Sequence, residues 1–567
     1  MTDTHDRPIG IDLGTTNSLV ALWTAEGPRI IENALGEALT PSVVGLADDA
    51  TVLVGQAARE RLVTHPRRTA GDFKRLMGTE QRVTLGDRTW RAEELSSMVL
   101  RALVGDAEAA LGHRPTRAVV SVPAYFSDPQ RRAVFAAGRL AGLEIEALVN
   151  EPTAAALAYG LADDAEERQF LVFDLGGGTF DVSLLDKYEG LMEVRASAGD
   201  NHLGGNDFRD QVERLLLGGD DPGTLEPPDR AAARLAATRV CHALSRTHEA
   251  PYTVRLGGRE RSGTITREAF AEACEPLFAR LRAPLRRAVA DAGVEPDDID
   301  QVLLVGGATR MPGVRELVAR LFGRLPLGHI DPDRTVALGA AVQAALRARS
   351  AGVRDVVMTD VCPHTLGTRV LRGDSGQERL AMQPVIERNA VVPVSRTMRF
   401  HTVRDRQRRI AFDVLQGEHM DPERNVKLGA LEVGVPAAPA GKEAVDVRFT
   451  YDTNGALEVE IASVSTGKTA RGVFAAPEAM DEREIERRFR ELAAIKIAPR
   501  ERAENAALVA RAERLYAEAR GETREAIEAL LARFLAAIED QRLREPDRVR
   551  REFAETLDSF ENPLFRA

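Results

Sequence analysis

The chain has 567 residues, too many for one hydrophobic core, and at roughly 100 to 200 residues per domain it should divide into three or four. Its net charge of −11 and ordinary hydrophobic fraction of 44% describe foldable acidic domains and argue against a protein that tracks nucleic-acid phosphates along its surface. Cys241, Cys274 and Cys362 form no CxxC pair, the histidines show no HExxH spacing, and no apolar run approaches the ~20 residues of a membrane span, so disulfide, zinc and membrane classes drop out and a cytoplasmic location is expected.

In chain order, the first signal is "IGIDLGTTNSLV" at 9–20, an apolar strand that runs into Asp-Leu-Gly and two threonines. "RAVVSVPAYF" is the next strand, and Asp128-Pro129 after it reads as a helix N-cap with proline at the first helical position. "NEPTAAALAYG" then reads as an alanine-rich helix. At 171–182 the opening pattern returns as "LVFDLGGGTFDV", which puts Asp12 and Asp174 162 residues apart (174 − 12), the scale of a domain rather than of a short repeat. "QVLLVGGATRMPG" and "DPDRTVALGAAVQAAL" echo the earlier strand and alanine-rich helix. Residues 1–353 therefore predict an α/β domain of two related lobes.

The segment "RSAGVRDVVMTDVCPH" breaks a helix at Gly352 and turns short, apolar and acid-bracketed, as a linker would over 354–361. From 362 to 475 the period becomes two. Val445, Val447, Phe449 and Tyr451 alternate, Asn454-Gly455 reads as a tight turn, and Leu457, Val459 and Ile461 alternate back. From 476 to 567 the period is helical. Asp481 with Glu484 makes a capping box, Ile527, Leu530, Leu531, Phe534 and Ile538 form one stripe, and Pro499 and Pro546 mark breaks or starts.

Two glycine-threonine turns at the ends of matching strands suit phosphate. Glycine lets the backbone turn tightly and bring N–H groups close to an anion, and a carboxylate at a strand end can hold the hydrated Mg2+ that travels with ATP. The pair implies a nucleotide gripped from both lobes.

"GIDLGTTNS", "VPAYFSDPQR", "NEPTAAALAYG", "FDLGGGTFDV", "GGNDF" and "VGGATRMP", in that order, resemble the ATPase domain of the heat shock protein 70 chaperones, whose fold is shared with actin and sugar kinases. The resemblance continues through the linker and "VLQGEH" into the helical end, and "LPLGHIDPDRTVALGAA", "DVCPHTLGT", "PVIERN" and "AIKIAPRE" resemble the HscC-type bacterial branch. It implies a β-sandwich peptide-binding domain and an α-helical lid after the actin-like ATPase domain. It also implies phosphate binding by Gly14, Thr15, Thr16, Gly176, Gly177, Gly178 and Thr179, with Gly204 and Gly205 beside them. Asp12 and Asp174 would face Mg2+ through water, Lys74 would reach the γ-phosphate, and Glu151 and Asp181 would orient water and metal. Gly306, Gly307, Arg310, Met311, Asp333 and Ser245 would line the adenosine. On the helix before Ser245, Thr238, Cys241 and His242 replace the charged residues usual in the family.

The resemblance further implies a peptide pocket at Phe400, Ile410 and Phe412, with Leu371 and Val403 arching over it. The nearby arginines Arg404, Arg406, Arg408 and Arg409 suggest clients with acidic flanks. Val356, Val357, Met358 and Thr359 shorten the family's apolar linker, and Ala147 stands where many members carry an interface arginine. The expected activity is an ATP-driven chaperone for unfolded or extended peptides, a monomer stimulated by a J-domain cochaperone, with a nucleotide exchange factor left open. A small-molecule kinase or an actin-like filament subunit on the same two-lobe fold would explain the turns but not the last 200 or so residues.

Overall fold

The computed structural model describes residues 8–47, 49, 51–160, 167–188, 191–327, 331–350, 357–372, 379–452, 455–474, 503–519, 521–539 and 546–561. They form two compact units, Met1–Pro363 and His364–Ala567.

The first unit contains two mixed sheets of the same plan. In one, Ile9–Asp12 pairs antiparallel with Asn17–Thr24, which pairs antiparallel with Gly27–Ile31; on its other side Ile9–Asp12 runs parallel to Arg117–Val122, and that strand parallel to Glu144–Asn150. In the other, Glu167–Leu175 begins the antiparallel run through Phe180–Tyr188 and Leu191–Asp200, and lies parallel to Gln301–Val305. The repeated sequence motif thus occupies the same place twice: it opens a three-strand meander and is the strand where antiparallel pairing changes to parallel. Both motif strands are buried on both faces, which is why they read as continuous apolar runs instead of alternating ones.

The alanine-rich helices Glu151–Gly160 and Thr335–Arg347 pack on one another so closely that a Cβ on Gly339 would stand 1.7 Å from the Ala154 carbonyl oxygen. The strand Ile9–Asp12 approaches the second helix equally tightly, with a Cβ on Gly10 falling 2.1 Å from Ala341 N. Only small residues permit such contact, and that is the physical reason for the alanine content. The helix Asp128–Ala141 starts one residue earlier than the Asp-Pro pair suggests. Ser127 is its cap, in a reciprocal box with Gln130, whose Oε1 accepts from Ser127 N at 2.9 Å, and Asp128 and Pro129 are already helical.

Val357–Thr359 extends the second sheet as a strand parallel to Leu191–Glu193. Asp360 follows it, accepting from Asn150 Nδ2 at 2.8 Å, and Val361 is buried among Ala147, Val149 and Val305. Val356 and Gly352 lie outside the described residues.

The second unit begins with two four-stranded antiparallel sheets. One orders Arg379–Ile386, Leu366–Arg372, Arg409–Gln416 and Val426–Gly434; the other orders Val394–His401, Ala444–Tyr451, Leu457–Ser463 and Thr469–Phe474. Val445, Val447, Phe449, Leu457, Val459 and Ile461 are fully buried, as their alternation predicts. Their hairpin is not a two-residue turn: Tyr451 pairs with Leu457, leaving residues 452–456 as the loop, with Asp452 Oδ1 accepting from Ala456 N at 2.8 Å. Gly455 still takes a positive φ of 83°, while Asn454 lies outside the described residues.

Helices Ala503–Glu518, Glu522–Glu539 and Pro546–Glu561 share one small core, in which Ile527, Phe534 and Ile538 are buried and Phe534 stacks on Phe553 at 4.0 Å. The expected capping box at Asp481 and Glu484, and Pro499, lie outside the described residues. All three cysteines are free thiols, and among the described residues no helix is long and apolar enough to cross a membrane.

The helix contact gives a stability test. Gly339→Val drives a side chain into backbone and should cost about 3 kcal/mol or more in chemical denaturation of the first unit. Gly105→Ala, on an exposed helical face with open space around the new methyl, should instead stabilise by about 0.5 to 1 kcal/mol.

Candidate functional site

Four carboxylates and one ammonium meet in the first unit. The strand ends supply Asp12 and Asp174; Asp181 sits directly across the hairpin from Asp174, and Glu151 opens the helix that follows Glu144–Asn150. Lys74, on the short turn Phe73–Leu76, is only 4% exposed; its Nζ donates to Glu151 Oε1 at 2.8 Å and lies 5.5 Å above the Phe126 ring. Asp12 Oδ1 accepts from Ser121 Oγ at 2.7 Å, and Asp181 Oδ1 from Tyr125 N at 2.9 Å. Asp174 Oδ2 and Asp181 Oδ2 are buried with no partner.

Such a charge excess strains the ionised state. Burial, then Glu151, pushes Asp12 up to about 7 and Asp181 up to about 8, and the same causes with Asp181 and Asp12 raise Asp174 well above the carboxylate range. Lys74 opposes these shifts but cannot cancel them. The donors are all hard oxygens with lone pairs to spare, which fits Mg2+. Among the described residues no group of three or more His, Cys, Asp or Glu side chains is gathered closely enough to hold a metal ion directly.

The two glycine-threonine turns that follow Asp12 and Asp174 face each other. A Cβ on Gly177 would stand 2.0 Å from Thr16 Oγ1, and one on Gly178 2.9 Å from Thr15 Cγ2. Gly204 lies against the same turn, where a Cβ would come within 2.5 Å of Gly178 N, and Gly205 N donates to Gly176 O at 2.9 Å. Side chains at these positions would fill the space between the turns. Arg75 is an addition that the sequence pattern did not single out: its Nη2 donates to His202 O at 3.0 Å and to the Asp207 carboxylate at 3.2 Å, beside Gly178. Ser121 and the Tyr125 amide are likewise new, and no local motif announces them; they arrive through strand register.

Farther along, Gly306 takes φ 81° and lies so close to Leu175 that a Cβ would be 2.3 Å from its carbonyl oxygen. Gly307 approaches Asp333, and Arg310 binds Asp333 at 2.7 Å and Asp331 at 2.9 Å. Met311 is buried at the start of Pro312–Phe322. Ser245 donates to its own helix, at Cys241 O, and takes no part in the hydrogen bonds of the carboxylate cluster. Burial lifts the Cys241 thiol to about 12 and, with Arg246 and Arg59, lowers His242.

In the second unit, Phe400 and Phe412 meet edge to face at 5.1 Å, with Ile410 buried on the same strand as Phe412. Leu371 and Val403 are exposed, at 40% and 56%. Leu366–Arg372 pairs with Arg409–Gln416 only at Leu366↔Gln416 and Gly367↔Leu415, so Thr368–Arg372 presents an edge on that side, with Arg369 reaching Asp413 at 2.9 Å. An extended chain could use such an edge.

A protein-family model described as Hsp70 protein matches residues 8–84 and 80–556. Among curated proteins, those named Chaperone protein DnaK from Thermotoga petrophila and Thermotoga maritima are each 39% identical over 506 residues, spanning 86% of this chain and 83% of the relative.

The raised carboxylates predict a pH dependence for the metal- and nucleotide-free protein. Asp12 and Asp181 keep protons in the folded state that the unfolded chain releases near pH 4, so their contribution to stability is greatest in acid and is lost as pH rises to about 8. Asp181→Asn should flatten that decline in a series of thermal melts from pH 5 to 8.5. A wild-type profile that rises over this range would contradict the assignment.

Proposed function

The chain belongs to the Hsp70 family, and from that premise we propose that nucleotide held between the two turns of the first unit governs how firmly the second unit holds extended peptide. The protein is an ATP-dependent chaperone and an ATPase, and its first unit has the family's actin-like architecture. One observation carries the residue-level reading: a buried excess of carboxylate around Lys74, bounded by two facing glycine-threonine turns.

The proposed division is a nucleotide-binding domain at 1–353, a linker at 354–361, a β-sandwich at 362–475 and a helical lid at 476–567. Gly14, Thr15, Thr16, Gly176, Gly177, Gly178 and Thr179 hold the phosphates through backbone and hydroxyl groups, with Gly204 and Gly205 packed behind. Asp12 and Asp174 are the residues that would hold hydrated Mg2+, which when bound with ATP neutralises charge on the phosphates. Lys74 is buried and pre-oriented by Glu151 and the Phe126 ring, so its ammonium can meet charge developing on the γ-phosphate without reorganising. Asp181 has one oxygen fixed by Tyr125 N and the other without a partner, an arrangement suited to orienting the attacking water; Glu151 shares that task.

Gly306, Gly307, Arg310, Met311, Asp333 and Ser245 form the proposed adenosine side, with Arg310 held by the Asp331–Asp333 pair until a base arrives. The peptide side is Phe400, Ile410 and Phe412 with Leu371 and Val403. The strand Val357–Thr359 and Asp360 offer a physical route for coupling, because they are hydrogen-bonded to the second sheet and to Asn150. Motifs such as "AIKIAPRE" support placement in the HscC-type branch, and a J-domain cochaperone, a cytoplasmic location and a monomeric state follow from the same reading.

Lys74→Ala tests it. Steady-state hydrolysis should fall on the order of 100-fold or more, while ATP still binds and the protein melts cooperatively. Hydrolysis within about threefold of wild type would remove Lys74 from the mechanism.

A further inference from the structure

We propose that the second unit selects extended segments whose apolar core is flanked by Asp or Glu, using the arginines of the turn between Val394–His401 and Arg409–Gln416. The inference rests on the peptide-binding reading and adds the charge of the client to it.

The turn is built before any ligand arrives. Gln407 Oε1 accepts from Val403 N at 3.0 Å and Arg404 N at 3.3 Å, while Gln407 Nε2 donates to Arg409 O at 2.9 Å. A neighbouring loop braces it: Arg406 N donates to Ala438 O at 2.8 Å, and Gly441 N to Thr402 O at 2.7 Å. Backbone order of this kind lowers the entropic cost of presenting side chains to a partner.

Two of the acidic groups nearby are already paired with other arginines, and Asp405 takes a backbone N–H. Arg409 binds Glu432 at 3.0 Å, Arg399 binds Asp446 through two hydrogen bonds of 2.7 and 2.8 Å, and Asp405 accepts from Ala440 N at 2.9 Å. Arg404, Arg406 and Arg408 are exposed, and among the described residues no carboxylate pairs with them. Three guanidinium groups within five residues outweigh the single carboxylate of Asp405 between them, and in a chain of net charge −11 they form a local basic rim that an acidic partner would complement.

That rim adjoins a small apolar surface. Val403 in the turn is 56% exposed and Phe400, at the end of the preceding strand, is half-buried against Phe412, which with Ile410 is buried at the start of the next strand. A segment with its apolar centre on this surface would place its flanks beside the arginines. Peptide fits better than single-stranded nucleic acid, because Phe400 and Phe412 pack on each other instead of offering open faces for base stacking.

The test uses the full chain with ADP and Mg2+ and three labelled peptides that share a leucine-rich core, flanked by Asp and Glu, by Ser and Gln, or by Lys and Arg. Fluorescence anisotropy should give the acidic-flanked peptide a Kd on the order of tenfold below the basic-flanked one at low salt, with the gap closing as salt rises. In the triple variant Arg404→Gln, Arg406→Gln, Arg408→Gln the three Kd values should converge, and Arg408→Gln alone should close part of the gap. Equal affinities on the wild-type chain, or a preference that survives in the triple variant, would overturn the inference while leaving peptide binding intact. If none of the peptides binds, the peptide-binding reading itself falls. A single-stranded oligonucleotide that displaces the acidic-flanked peptide at equal concentration would reassign the rim to nucleic acid.

Discussion

Lys74 and its four carboxylates set the terms for the first unit. One buried ammonium faces Asp12, Glu151, Asp174 and Asp181, and three of these acids are held far above their ordinary pKa. A fold does not gather like charges in a desolvated cleft for its own stability. On the proposed reading the site is completed by cations and phosphate, which would turn groups that repel one another into ligands and water-orienting bases. Everything close by serves to hold those charges still: Ser121 on Asp12, the Tyr125 amide on Asp181, Glu151 and the Phe126 ring on Lys74.

The duplicated sheet plan explains how charges from distant parts of the chain converge. Each motif strand begins a meander, Asp12 and Asp174 lie at corresponding strand ends, and their turns meet, Thr16 against Gly177. The alanine-rich helices lock this symmetry, since the approach of Gly339 to Ala154 leaves no room for larger residues. The placement of the two turns thus depends on packing well removed from them.

Much of this was legible because it is local. The two Asp-Leu-Gly turns, the alanine-rich helices and the alternating strand of Val445 to Tyr451 are properties of neighbouring residues, and local periodicity reports them well. What stayed hidden depends on register. Ser121 contacts Asp12 only because two strands run in parallel at a given offset, and Arg75 reaches Asp207 across 132 residues. Local chemistry also misleads when two solutions look alike: Asp128-Pro129 is a plausible helix start, yet Ser127 wins through its reciprocal bond with Gln130. Likewise Asn454-Gly455 resembles a two-residue turn, but the Tyr451↔Leu457 register makes the loop longer.

The second unit divides its labour differently. On the proposed peptide reading, its aromatic pair and open strand edge would offer shape and backbone hydrogen bonds, which many sequences can satisfy, while charge at the arginine turn would discriminate among them. The central claim, however, is that the buried carboxylates are completed by a divalent cation together with nucleotide. The most direct measurement is the melting temperature of the full chain with ATP or ADP, in Mg2+ and in chelator. The account predicts that nucleotide with Mg2+ raises the Tm by several degrees, that either alone does much less, and that Asp174→Asn shrinks the Mg2+-dependent part. An equal rise with nucleotide in chelator would contradict it.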